Sequence, residues 1–139
     1  MIESVVELIK LHEGYRQHPY RCPAGALSIG YGRNLDSVGI DRDEAEHLMA
    51  RDVSRALQDL RMEPYWLDLS EVRQAVLIDM VYNLGWPRFS KFRKLRAALE
   101  VGDYRRAADE MVDSAWYGQV GNRSKRLVGM MHHDSWPEA

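Results

Sequence analysis

The stretch LIKLHEGYRQHPYRCPAGALSIGYGRN, Leu8 to Asn34, decides the reading of the whole chain, because its pattern changes halfway along. Its first part closes a helical repeat. Ile2, Val5, Val6 and Ile9 recur at i, i+3, i+4 and i+7 on one face, which predicts a helix over 2–12 with Gly14 placed to end it. From Tyr15 to Leu35 the density of Gly and Pro (Gly14, Pro19, Pro23, Gly25, Gly30 and Gly32 in and around it) excludes a helix. Runs such as ALSIGYG predict small strands with turns, as a β-hairpin or a three-stranded meander. Glu13 then falls in the last turn of the helix, with Cys22 nine residues on and Ser28 six further, inside the ribbon. Fully extended, the chain would separate Glu13 from Cys22 by about 30 Å at ~3.3 Å per residue. The turn formers allow the ribbon to fold back across the helix end, placing an acid and two small polar groups on facing walls of a cleft. Spacing alone leaves a plainer reading open: a carboxylate at a helix end is usually solvated, and a lone cysteine is usually a small buried hydrophobe.

Working outward, Asp41 as N-cap with Glu44 three residues later forms a capping box with Asp in place of Ser or Thr. Ala45, Leu48, Met49, Val53, Ala56, Leu57 and Leu60 carry that helix for about 20 residues at the 3.6 period. Ser70 with Val72 onward opens another, VRQAVLIDMVYNLG, apolar almost all round and so the buried centre of a helical lobe, ended by Gly85, Trp86 and Pro87. Shorter helices follow at 89–100, 103–115 and 122–133.

The 139 residues suit one domain with a core of its own, and 45% hydrophobic with 29% charged residues is globular composition. Nineteen Lys and Arg against 21 Asp and Glu give a net charge of -2, which argues against a dedicated nucleic-acid binder. The charge is uneven. Asp41–Glu71 holds nine acidic and four basic residues, whereas Arg88, Lys91, Arg93, Lys94 and Arg96 form a run with no acid. The plain reading of that run is a solvated helix face; the sharper one is a surface drawn to an anionic polymer such as a bacterial wall. Cys22, the single cysteine, excludes an intramolecular disulfide. The start MIESVVELIK lacks a basic leader and a long apolar run, and no stretch reaches ~18 apolar residues, so the expected site of accumulation is the cytoplasm. His12, His18, His47, His132 and His133 lack metal-ligand spacing, and no glycine-rich phosphate loop is present; neither metal nor cofactor is expected. Trp66, Trp86, Trp116 and Trp136 read as packing residues rather than sugar platforms.

Leu8–Arg16 and Pro19–Arg33 resemble the phage lysozyme (endolysin) family, in which a helix ending in Glu-Gly leads to a hairpin carrying Asp or Cys nine residues on, Thr six further, and Ile-Gly-x-Gly. GIDRDEAEHLMARDV, VYNLG, AWY and NRSKRL resemble later landmarks of the family in the same order, so the resemblance runs from about residue 8 to 130. It implies a mostly helical α+β fold, a single two-lobed domain over 1–139. A small β lobe would cover about 14–50, and a helical lobe 1–13 plus about 60–139, joined by the long helix. It also implies a peptidoglycan hydrolase cleaving the β-1,4 bond between N-acetylmuramic acid and N-acetylglucosamine. Such an enzyme would act as a monomer on glycan strands, with no membrane insertion, and reach the wall through a holin-type pore.

By the same resemblance Glu13 is the catalytic acid, Cys22 stands where the family has Asp or Cys, and Ser28 where it usually has Thr. Arg123 matches the arginine that pairs with the catalytic glutamate, and Asn34, Tyr82 and Asn83 match positions lining the sugar cleft. Glu13 would deliver a proton to the leaving oxygen, its pKa lifted towards ~6 if desolvated, while Arg123 would act in the opposite sense. A free thiol titrates near ~8.5, so Cys22 is a charge-stabilised thiolate (Arg21 being the nearby cation), a neutral group positioning water with Ser28, or a direct nucleophile. A lytic transglycosylase, using one glutamate and the sugar's own hydroxyl, and a non-catalytic wall-binding module are the alternatives.

Overall fold

The structure, a computed structural model, describes residues 1–138. It comprises helix α1 (Val5–Glu13), strands β1 (Arg16–Arg21), β2 (Leu27–Gly30) and β3 (Arg33–Asn34), and the long helix α2 (Arg42–Leu60). A short 3-10 turn (Trp66–Asp68) precedes helices α3 (Glu71–Leu84), α4 (Trp86–Phe89), α5 (Arg93–Glu100), α6 (Tyr104–Val112), α7 (Ala115–Gln119) and α8 (Asn122–His133). The architecture is α+β and mostly helical, as expected from the sequence. The chain divides into two compact units inside α2, Met1–Leu48 and Met49 onward. The expected lobe boundary at residue 139 lies outside the described residues.

In the first unit, α1 begins three residues later than the apolar repeat suggests, and the reason is a cap. The Glu7 amide donates to the Ser4 hydroxyl (3.2 Å) and the Glu7 carboxylate accepts from the Glu3 amide (2.7 Å), so the residues before Ser4 stay outside. The helix ends at Glu13, where Gly14 (φ +67°) donates to Lys10 O at 2.9 Å and turns the chain into β1. Val5, Val6, Leu8 and Ile9 stay exposed. The strands form the three-stranded antiparallel meander, in order β1-β2-β3, with Ser28 opposite both Tyr20 and Asn34 and an irregularity between Arg16 and Tyr20. Helix α2 starts with the reciprocal capping box read from the sequence: Glu44 N to Asp41 Oδ1 at 2.9 Å, and Asp41 N to Glu44 Oε1 at 3.1 Å.

The second unit holds the apolar core. Ala56 and Leu60 of α2, Val76, Leu77, Met80, Val81 and Leu84 of α3, Phe89, Leu95, Leu99, Met111, Leu127 and Met131 form one cluster. Trp66 and Trp116 are buried within it, and Trp86 is packed against it, whereas Trp136 is 59% exposed and departs from its expected packing role. Two other expectations need correction. Gly85 ends α3, but Trp86 and Pro87 begin α4 instead of closing the segment, because Pro in the first turn needs no partner for a missing N–H and its fixed φ suits a helix start. The predicted helices at 89–100 and 103–115 are each broken. The chain turns through Ser90–Phe92 before α5, and Ser114 accepts from the Tyr117 amide (3.3 Å) to start α7 afresh.

Two polar ties hold this unit. Arg96, one of the basic run, is taken out of it by a two-pronged bond to buried Glu63 (Nε to Oε1 2.7 Å, a terminal nitrogen to Oε2 3.0 Å) and a further bond to Ser90 O at 2.9 Å. The Glu63 carboxylate raises the Arg96 pKa above its ordinary value. Beside them the Tyr65 hydroxyl is buried with no hydrogen-bond partner among the described residues. Burial first, then the Glu63 charge, pushes that phenol above its usual 10. The second tie joins the ends of two helices. The Ser70 hydroxyl caps α3 by accepting from the Arg73 amide (3.2 Å) and donates to the Asp134 carboxylate just past α8, while Arg73 Nε reaches Met131 O at 2.8 Å.

Candidate active site

Glu13 is the last residue of α1, and what lies against its carboxyl is backbone. A Cβ placed on Gly32 would stand 2.3 Å from Glu13 Oε2 and 2.7 Å from its Cδ, so the carboxyl occupies the space that a side chain at residue 32 would fill. Gly32 also has φ +75°, a conformation that L side chains rarely adopt. The β2–β3 turn is fixed there by Tyr31, whose ring lies 5.7 Å from that of Tyr15 and 5.4 Å from Lys10 Nζ, one turn before Glu13 on α1. Helix end and turn thus hold each other, and Glu13 is an exposed residue.

Cys22 opens the β1–β2 turn. Its amide donates to Ala26 O at 2.9 Å and its carbonyl accepts from the Gly25 amide at 2.8 Å, with Pro23 presetting the turn and Gly25 at φ +87° closing it. The side chain is half-buried. Arg21, considered as a thiolate-stabilising charge, instead spends its guanidinium on Gly25 O at 3.0 Å. Ser28 sits in the central strand, 3% exposed, its hydroxyl within 3.5 Å of Ala26 O. Cross-strand pairing puts Tyr20, Ser28 and Asn34 on one face of the sheet, and Cys22 follows two residues past Tyr20, just beyond the end of β1. Two and four residues beyond Ser28 come Gly30 and Gly32, bare positions, and Glu13 fills the space at the second. Asn34 holds the following turn, its side-chain oxygen accepting from the Ser37 amide at 3.0 Å, which leaves its NH2 group as the end available to a ligand.

The remaining sequence-predicted residues lie in the second unit. Arg123, on the first turn of α8, donates from Nε to Asp79 Oδ1 of α3 at 2.7 Å. Both line an open hollow of about 360 Å³ together with exposed Tyr82 and apolar Val53, Ala75 and Ile78. Asn83 points its side-chain oxygen at Trp116 Nε1 (3.0 Å), so it anchors α7 to α3. Two residues here were not singled out from the sequence. Asp79 had a signal, the one carboxylate inside an apolar helix. Gly32 had only its place in Gly-x-Gly. Among the described residues no group of three or more His, Cys, Asp or Glu is arranged to hold a metal ion, and no helix is long and apolar enough to cross a membrane.

Residues 10–134 match the sequence profile of the phage lysozyme family. The chain is similar to probable T4-type lysozyme 1 of Dictyostelium discoideum, at 26% identity over 161 aligned residues covering 94% of this chain and 95% of that protein. It is similar to the endolysin of Acyrthosiphon pisum secondary endosymbiont phage 1, at 30% identity over 114 residues, 79% of this chain and 76% of that one. The pre-baseplate central spike protein Gp5 of Enterobacteria phage T4 is 25% identical over 154 residues, which take in 90% of this chain but 27% of the spike protein.

Proposed function

We propose that this chain, which belongs to the phage lysozyme family and is a glycoside hydrolase acting on peptidoglycan, cleaves the β-1,4 bond between N-acetylmuramic acid and N-acetylglucosamine and so lyses bacterial cells. The observation that carries the reading is the carboxyl of exposed Glu13 braced against Gly32, in the turn that follows the strand bearing Ser28. Glu13 gives its proton to the glycosidic oxygen as the C–O bond breaks and positive charge develops on the sugar ring. A water then adds to the ring carbon, and its proton leaves to solvent or to the Glu13 carboxylate. Cys22, half-buried at the head of the β1–β2 turn, is the group that orients this water in place of a second carboxylate. Arg123, Asn34, Tyr82 and Asn83 contribute to glycan binding.

The substrate lies outside the membrane, and in this reading the protein reaches it through a holin-type pore and acts there as a monomer. Glu13→Gln keeps the shape and removes the acid. It should abolish release of soluble fragments from purified sacculi with unchanged far-ultraviolet circular dichroism; undiminished release would overturn the assignment. The half-buried thiol where a second carboxylate would stand favours one other reading, a lytic transglycosylase. Mass spectrometry of the wild-type products decides between them, reducing ends marking hydrolysis and anhydro-muropeptides marking transglycosylation.

A further inference from the structure

We propose that Tyr31 is a positioning residue for the reaction: through Tyr15 and Lys10 its ring ties the Gly30–Gly32 turn to the end of α1, and so sets where the Glu13 carboxyl stands; this rests on the muramidase reading above. The turn has little else to hold it. Gly30 (φ +69°) and Gly32 (φ +75°) flank Tyr31, both in backbone conformations that glycine enters freely, so Tyr31 gives the turn its one side chain. Strand β3 beyond it is two residues long, and α1 buries no residue. Among the described residues neither Glu13 nor Lys10 makes an ion pair. The place of the acid therefore depends on how firmly helix end and turn stay together.

The strand register prepares this tie. Tyr20 pairs with Ser28 and Arg21 with Leu27, and in that register Arg16 would face Gly32. The irregularity between Arg16 and Tyr20 moves Arg16 two places, to Gly30. One step further out, Tyr15 then comes opposite Tyr31, their rings 5.7 Å apart and tilted by 50°, the offset arrangement that aromatic pairs favour. Lys10, one helical turn before Glu13, completes the contact with its ammonium 5.4 Å from the centre of the Tyr31 ring, within cation–π range. Tyr15 and Tyr31 are both exposed, so this grip owes nothing to a buried core. Both contacts are made to the ring, and phenylalanine would keep them.

Initial rates of fragment release from labelled sacculi, taken over a range of wall concentrations, separate kcat from KM. Tyr31→Ala should lower kcat about tenfold or more and leave KM within about twofold, because a loosened turn misplaces the donor without removing a substrate contact. Tyr31→Phe should restore kcat. Lys10→Met should lower kcat about two- to fivefold, and should cost nothing more when added to Tyr31→Ala, since it acts through the ring. Unchanged kcat in Tyr31→Ala would overturn the proposal. So would a raised KM at constant kcat, which marks the ring as a sugar platform, or an equal loss in Tyr31→Phe. Should Tyr31→Ala fail to fold by circular dichroism, Tyr31→Leu takes its place with the same expectations. The carbon-13 shift of the Glu13 carboxyl, read by NMR on the full chain, separates the two readings. A wild type that releases no fragments, with a Glu13 signal that moves in Tyr31→Ala and returns in Tyr31→Phe, would remove the muramidase reading and keep Tyr31 as the group that places the carboxyl. Digestion with a Glu13 signal unmoved by Tyr31→Ala would do the reverse.

Discussion

Gly32 shows how much can hang on a missing side chain. A methyl at residue 32 would overlap the Glu13 carboxyl, so Gly32→Ala forces the acid or the turn to move. The backbone strain of a non-glycine residue at φ +75° costs about 1 kcal/mol, whereas a misplaced proton donor costs on the order of a hundredfold in rate. Urea denaturation should thus show a small loss of stability, and sacculus digestion a large loss of activity. Gly102→Ala, at φ +71° with open space around it, is the control, expected to lose stability alone. Tyr65 makes the opposite case. Its hydroxyl is buried without a partner, which costs about 1–3 kcal/mol, so Tyr65→Phe should be neutral or stabilising in thermal melts. The raised pKa also has a sign: the folded protein keeps a proton that the unfolded chain gives up above about pH 10, so stability falls as pH rises past 10. Tyr65→Phe should flatten that alkaline decline. Glu13 was legible in the sequence because a helix repeat and a following glycine are local signals. Gly32 was not, because the need for an empty position arises from a side chain nineteen residues earlier that meets it only in the fold.

Helix starts were the most readable features of the elements, since a cap and its third residue act within one turn. Asp41 with Glu44 and Ser70 with Arg73 behave as their spacing foretells. What the sequence concealed was where helices stop and restart. Arg93–Glu100 and Tyr104–Val112 bury one-sided faces, yet the chain breaks before Arg93, where half-buried Phe92 packs against the core cluster, and after Val112, where Trp116 enters it, a tertiary demand that overrides a continuous repeat. Ser70→Ala tests an element-level tie. It removes both the cap of α3 and the link to Asp134, and should cost about 1–2 kcal/mol in urea unfolding. Ser4→Ala, which uncaps a helix with no buried residue, should cost less.

Across the whole molecule, burial is lopsided. Among the described residues of the first unit Ser28 alone is buried, while the apolar cluster belongs wholly to the second. Native-state hydrogen exchange should therefore find the slowest amides in α3, with the sheet opening at lower free energy. Uniform protection across both units would contradict this. Composition and periodicity revealed the helical majority and the small sheet because each depends on short-range pattern. Which residues share a hollow, such as Asp79 with Arg123, depends on contacts 44 positions apart, and no spacing rule announces them. Gly85 closes one helix and opens the next with no linker between. A single inserted residue at that corner would rotate Trp86 and Phe89 away from their seats, so the chain can lengthen there only by giving up both aromatic contacts with the core.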